Sequence, residues 1–326
     1  MTRPRPGARS GVLVMAHGTP RSLEEVGAFY TEIRRGRPPA PGPLAELEGR
    51  YRAIGGTSPL NELTAAQVAG IGAALERRAP GRFTAAGGAK FAPPRIEEAV
   101  GELLGSGVDR VIGLVLAPHS STVSVGEYAR RAREAMATGD ERNGEVPFEM
   151  IDHWYEAPAL VSLLAGRVAD ALASLGGDAA PTTVVFTAHS VPRRVVEAGD
   201  SYPLQLKESA RAVAEAAGLG DWSVAWQSAG RTDEEWLGPD VNAVIEALGH
   251  GPTRSVVVCP IGFVSDHLEV LYDIDIEARA TAEKAGIGFA RTASLNDDPR
   301  FCDLLAQVVL TGAGSAGDDG GAVEDG

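Results

Sequence analysis

The chain reads as an α/β protein built from two similar Rossmann-like domains, each with a roughly four-stranded parallel sheet flanked by helices. Three observations predict this. Short β-rich runs alternate with helical patterns along most of the 326 residues, the signature of parallel βαβ units. The runs "VIGLVL" and "TTVVF" are apolar without alternation, as strands covered on both faces are. The two halves also repeat one another. "LVMAHGTP" closes the first strand and "VFTAHSVP" the fifth, and the third strands of each half run into "APHSSTVSVGEY" and "CPIGFVSDHLEV".

In chain order the expected strands are 11–17, 83–88, 110–118, 148–154, 182–189, 222–228, 255–262 and 287–294. Each is a short run rich in β-branched, aromatic or small apolar residues. Between them lie helical periodicities: "TAAQVAGIGAALERRA", "RIEEAVGELLGSG", "VGEYARRAREAMATG", "ALVSLLAGRVADALASLGG", "PLQLKESARAVAEAAG", "DVNAVIEALGH" and "DIEARATAEKAG". We expect a first domain over 8–155 and a second over 156–296, with the boundary where the helix after 156 crosses over. The helix over 297–312 has no strand after it and is expected to pack back on the first domain. "RRGRPPAPGPL" (34–44) reads as a Pro-rich loop. The tail 313–326, rich in Gly, Ala and Asp, carries too little apolar mass to fold and is expected to be disordered.

Composition excludes several classes. The formal net charge of −14 argues against nucleic acid, which demands a basic face, and against stable adhesion to anionic lipid. No apolar run approaches the roughly 20 residues that span a bilayer, and "MTRPRPGARSG" has no apolar core for a signal peptide. A cytoplasmic monomer is the expectation. The two cysteines, Cys259 and Cys302, form no CxxC pair. No P-loop, GxGxxG after the first strand, or GxSxG elbow is present, so nucleotide and serine-hydrolase chemistry have no foothold.

In open α/β folds ligands sit beyond the carboxyl ends of the strands. Those ends carry His17, His119 and His189. A lone histidine is ordinarily a core or capping residue. His189, however, sits in "AHSVP" at a strand end, where a neutral imidazole can take a proton or a metal. Past another strand end, Asp266, Glu269, Asp273 and Glu277 are spaced 3, 4 and 4 apart, which aligns four carboxylates on one helix face. A solvated helix face explains such a row cheaply. A path for a divalent cation explains it too, since hard cations prefer oxygen ligands and iron accepts imidazole. Arg34, Arg35, Arg37, Arg50 and Arg52 are either surface arginines or a basic rim for ligand carboxylates.

"AHSVP…GDSYPLQL", "WQSAG…WLGPDV", "PIGFVSDHLEVLYDID", "FYTEIRRGRPPAPGPL", "RYRAIGGTSPL" and "VLAPHSSTVSVGEY" together resemble the ferrochelatase family, in particular its soluble bacterial branch acting on coproporphyrin III. The likeness spans roughly 10–312. It implies Fe²⁺ insertion into a porphyrin, giving coproheme, in a cleft between the two domains. It implies His189 and Glu269 as the catalytic and metal-handling pair, with Asp273 and Glu277 as an acidic ladder leading outward that could hold a further divalent cation. Arg34, Ser58, Tyr128 and Ser228 fall where relatives contact the macrocycle or its carboxylates, Arg50 falls near an outer metal site, and His17 falls where the metal is faced from the other side of the ring; Ile33, with Tyr30, Ile54 and Trp226, could bound a flat ligand. Close relatives have tyrosine where this chain has His17. The iron–sulfur cluster of some branches needs four cysteines and is not expected with two. A haem-binding protein without activity, or a cobalt chelatase for another tetrapyrrole, are the alternatives.

Overall fold

The computed structural model describes residues 8–138, 146–176, 181–230 and 233–315. Eight strands form two parallel sheets. In the first, β1 (Ser10–Ala16), β2 (Phe83–Ala89), β3 (Arg110–Val115) and β4 (Phe148–Ile151) take the order β2-β1-β3-β4. In the second, β5 (Thr182–His189), β6 (Trp222–Gln227), β7 (Ser255–Cys259) and β8 (Gly288–Arg291) take the order β6-β5-β7-β8. The same order in both sheets is what the repeated strand-end motifs imply. In each sheet the first-laid strand pairs on both sides, Val12 with Ala85 and Ile112, Val184 with Trp222 and Val257. These central strands are almost wholly buried.

Eleven α-helices flank the sheets among the described residues: α1 (Val26–Ile33), α2 (Pro41–Ala53), α3 (Leu60–Arg78), α4 (Ile96–Gly105), α5 (Val125–Ala137), α6 (Pro158–Ser174), α7 (Arg193–Glu197), α8 (Tyr202–Ala216), α9 (Val241–Gly249), α10 (Arg279–Lys284) and α11 (Pro299–Ser315). Helix α2 corrects the reading of 34–44 as loop throughout. Pro41 opens the helix, where its missing N–H costs nothing and its φ is already helical. Helix α11 packs along α3 so tightly that a Cβ on Gly70 would stand 2.5 Å from Cys302 Sγ. Arg77 and Asp303 close the same seam at 2.8 Å. The backbone helix runs to Ser315, so the expected tail begins late, and 316–326 lie outside the described residues.

One hydrophobic core runs through both halves. It joins Val12, Val14, Ile112 and Leu114 of the first sheet to Val184, Phe186 and Val257 of the second through Trp154, Leu160, Phe301 and Leu305. The outer faces carry separate cores, Leu13 with Ile96 and Leu103 on one side and Val256 with Ile245 and Ala282 on the other. Among the described residues no helix is long and apolar enough to cross a membrane.

Candidate active site

Parallel strands deliver their carboxyl ends to one edge, and the two sheets turn those edges toward each other. Three ties between halves fix this arrangement. Arg50 of α2 reaches Asp273 at 3.3 Å. Gln67 of α3 donates to Ser265 Oγ and to the Asn296 carbonyl, both at 2.8 Å. Ser121 and Thr122, past β3, donate to Asp200.

His189 is the last residue of β5. Its Nδ1–H donates to the Ser190 carbonyl at 2.6 Å, which leaves Nε2 facing outward to Glu269 Oε1 at 3.5 Å. On the other side, His267 Nε2 stands 3.5 Å from Glu269 Oε2. One carboxylate is therefore held between two imidazoles. Glycine puts it there. The turn after β7 crosses behind β5 so closely that a Cβ on Gly262 would lie 2.4 Å from the Ala188 Cβ, and Gly262 N–H donates to the Thr187 carbonyl. Buried Gln227 completes the mount: its Oε1 accepts from Thr187 Oγ1 and its Nε2 donates to the Glu269 carbonyl.

Burial alone would lower the His189 pKa. The charge of Glu269, its hydrogen bond, the Ser190 carbonyl and Asp273 outweigh that and push it up to about 9. Burial alone would raise the Glu269 carboxyl; the charge and hydrogen bond of His189, with His267, hold it well below the usual carboxylate range. The resting pair is thus imidazolium and carboxylate. At 3.5 Å it is looser than a charge-assisted hydrogen bond of about 2.7–2.9 Å, so either partner can turn to a third group.

The acidic row divides. Helix turns run on from Glu269 into a π-helix over Val270–Ala278, a correction to the expected α-helix and a form frequent at functional sites. Asp273 faces inward at 5% exposure. It accepts from Ser228 Oγ and from Arg50. Burial, with Glu269 and Glu277 nearby, pushes it up to about 6 against the pull of Ser228 and Arg50. Ser228 is held at φ 58, a left-handed conformation uncommon outside glycine, and so aims its hydroxyl at Asp273. Glu277 is half-buried further along. Asp266 leaves the row altogether. Ser294, Asn296 and Arg291 bind it at 2.7, 2.9 and 3.1 Å, so it braces the β8 end. Among the described residues no group of three or more His, Cys, Asp or Glu side chains closes around a point where a metal ion could sit.

The first half supplies a different wall. His17 follows β1 and stands open, its Nδ1 against the Gly18 carbonyl at 2.9 Å and its ring 4.8 Å from Phe91 and 6.0 Å from Phe29. Surrounding protein pushes its pKa down to about 4, and it feels both Glu269 and His267. Ile33 is exposed at the end of α1, beside Arg34, whose guanidinium lies over Tyr30. Ser58 is buried and accepts from Leu60 N–H. Arg50 lies over the Tyr272 ring. Tyr128 is not brought to this surface. It is buried in the outer core of the first sheet, under the Lys90 ammonium at 4.5 Å. His119 is also withdrawn, 2% exposed and stacked on Tyr155. His267 and Gln227 had no place in the sequence reading. The signal for His267 is its position two residues before Glu269; Gln227 has none, because only the fold brings it under the carboxylate.

A ferrochelatase family model matches residues 9–313. The chain is 42% identical over 303 residues to the ferrochelatase of Herpetosiphon aurantiacus, covering 93% of this chain and 98% of that one. It is 41% identical to the coproporphyrin III ferrochelatases of Halalkalibacterium halodurans (92% and 96% covered) and Bacillus subtilis (93% and 97% covered). Among solved structures, SirB from Bacillus subtilis with Fe³⁺ superposes with a TM-score of 0.57 at 12% identity, covering 95% and 98% of the two chains. CbiX, described as the terminal enzyme of sirohaem biosynthesis in denitrifying bacteria, gives 0.53 at 16% identity, covering 92% and 98%. Those two structures share the two-sheet chelatase fold. The near-complete match to the family model and the identity carried along almost the whole length settle the rest: this chain belongs to the ferrochelatase family.

Proposed function

We propose that this chain inserts Fe²⁺ into coproporphyrin III, releasing two protons and giving coproheme for haem biosynthesis. The observation that carries the reading is Glu269 held between His189 and His267 at the end of β5. Insertion must bring a hydrated cation to the ring and remove two pyrrole protons. A metal ion competes with the proton for an imidazole, so Fe²⁺ arriving at Glu269 displaces the His189 proton. That proton leaves through Asp273 to solvent; as the iron passes from Glu269 into the ring, the freed imidazole accepts one pyrrole proton and the Asp273 carboxylate the other. Asp273, pushed up to about 6, exchanges protons close to neutral pH and continues the path toward Glu277 and solvent. Metal and protons thus use one face of the ring.

His17, Ile33, Arg34, Ser58 and Ser228 are assigned to the macrocycle and its carboxylates, with Tyr128 supporting Lys90 from behind. His17, kept neutral by its surroundings, is assigned to the product iron as its ligand from the opposite face. Arg50 with Asp273 and Glu277 forms the outer station, where a second divalent cation could rest. No iron–sulfur cluster is needed, and the enzyme works as a cytoplasmic monomer. The test is an anaerobic absorbance assay with Fe²⁺ and either coproporphyrin III or protoporphyrin IX. Faster turnover of coproporphyrin III is expected; absence of insertion into both rings would overturn the reading.

A further inference from the structure

Behind His189 lies a second set of contacts that touches neither metal nor ring. The loop after β3 crosses to the start of α8. Ser120 N–H donates to Gln205 Oε1 at 2.7 Å. Three donors converge on Asp200 Oδ2: Ser121 Oγ at 2.9 Å, Thr122 N–H at 2.8 Å and Thr122 Oγ1 at 2.7 Å. The other oxygen, Oδ1, accepts from Tyr202 N–H at 3.0 Å. One carboxylate therefore ties the first half to the first turn of α8. Tyr202, in that turn, sends its hydroxyl to the backbone carbonyl of His189 at 3.1 Å. That carbonyl lies at the strand end, where the ladder to β6 gives out. The Tyr202 ring is walled by Trp226 at 5.8 Å and His119 at 6.2 Å. Neither ring nitrogen of His119 has a hydrogen-bond partner among the described residues, so this histidine serves here as an uncharged slab.

We propose that Asp200 and Tyr202 form a clasp between the two halves that positions His189 for metal insertion, with Tyr202 as the positioning residue. The inference deepens the assignment of His189 above and rests on it. A carboxylate that accepts only from the other half and from its own helix start fixes where α8 begins. The Tyr202 hydroxyl, from the same turn, then fixes the peptide plane that carries the imidazole. Partners of this kind, one step removed from a metal-handling group, typically change activity 10- to 100-fold when lost.

The test uses full-length protein. Tyr202→Phe removes the hydroxyl and keeps the ring; Asp200→Asn places an amide against the donors of Ser121 and Thr122. Both are expected to lower kcat about tenfold while KM for the porphyrin stays within about twofold. Both should also move the His189 carbonyl ¹³C resonance upfield in the substrate-free protein, the signature of a lost hydrogen bond. Thr122→Val should act in the same direction and Thr122→Ser should restore wild-type values, a comparison that stands even where Asp200→Asn does not fold. A folded Tyr202→Phe with wild-type kcat overturns the proposal, as does a folded Asp200→Asn, or Thr122→Val, that leaves the resonance in place. The resonance is read without metal or ring, and His189→Ala is assayed in parallel. An active His189→Ala would sink the catalytic assignment, and a shifted resonance would still report the clasp.

Discussion

His17 and His189 occupy equivalent places in the two halves and end in opposite states. Each follows an Ala at the end of the central strand of its sheet. Each turns Nδ1 to the carbonyl of the next residue, Gly18 or Ser190. The strand-end position and the Nδ1 contact are shared, yet one ring is pushed down to about 4 and the other up to about 9. The difference comes from what surrounds each ring: desolvation by the surrounding protein lowers His17, whereas at His189 the charge of Glu269 outweighs burial. Beside His17 stand Phe29, Phe91 and the Lys90 ammonium; beside His189 stands Glu269, carried in by the Gly262 turn. A strand end supplies direction, and a residue distant in sequence supplies charge. The first half thus offers a neutral imidazole and the second a proton-bearing pair.

The comparison breaks most sharply at Glu269. Glu269→Gln removes the largest opposition to burial at His189 and leaves only the Ser190 carbonyl and Asp273 to hold the proton, so the imidazole pKa should fall from about 9 toward that of His17. Loss of a positioned acid–base partner typically costs 10²- to 10⁴-fold, and insertion should fall by at least about 100-fold. Anaerobic single-turnover absorbance and an NMR titration of His189 check both halves; a folded variant with wild-type turnover would remove Glu269 from the mechanism.

A smaller effect is expected at Asp273. Asp273→Asn takes away the carboxyl that titrates near 6 but keeps a partner for Ser228. Insertion should slow several-fold, on the order of the 10-fold seen for outer-shell partners, with porphyrin affinity by fluorescence quenching unchanged. Equal rates across pH 5.5–8 in variant and parent would return Asp273 to a purely structural role.

The other pole of the comparison is sharpened by the product complex. With His17 neutral, haem bound to the protein should show a nitrogenous axial ligand in its absorption and resonance Raman spectra, and His17→Ala should lose it. Identical spectra would show that the Gly18 hydrogen bond keeps the ring from the iron.

A third strand-end histidine gives the smallest change. Burial, aided by the charge of His153, pushes His119 down to about 3 from 6.5. Below about 6.5 the unfolded chain takes up a proton that the folded chain refuses. Stability from this residue is therefore complete above 6.5 and is lost as pH falls, by roughly 1.4 kcal/mol per pH unit. His119→Phe should flatten the urea-midpoint profile between pH 6.5 and 4.5 relative to the parent; parallel profiles would contradict a neutral buried ring.

All eight strands were legible, because period and composition mark a buried strand without help from its neighbours. The repeated Ala-His motif gave away the duplication and hence the common sheet order. Residues whose role depends on an opposing element were not legible. Asp266 sits in register with Glu269, yet Arg291 and Asn296 claim it. Tyr128 faces the outer core because α5 buries the side that carries it. His267, Gln227 and Tyr202 matter through the atoms they meet, and no spacing rule encodes those meetings. The first turn of α2 was masked by its prolines, which usually announce a loop but at a helix start announce the helix.

The shared core has a consequence for how this duplicated architecture can vary. Two halves with the same sheet order suggest modules that could be parted, exchanged or hinged like the leaves of a book. Trp154, Leu160, Phe301 and Leu305 forbid it, since the residues that join the halves are as dry as those inside either one. A cut between them would lay open an apolar face on both pieces, and each would seek another copy to cover it. The binding side must therefore adapt by its rim, through α1, the loop before α2 and the turns after the strands, while the spine stays shut. Evolution of ring preference in such a chain is confined to those edges, and a graft that respects the spine can change the guest without rebuilding the host.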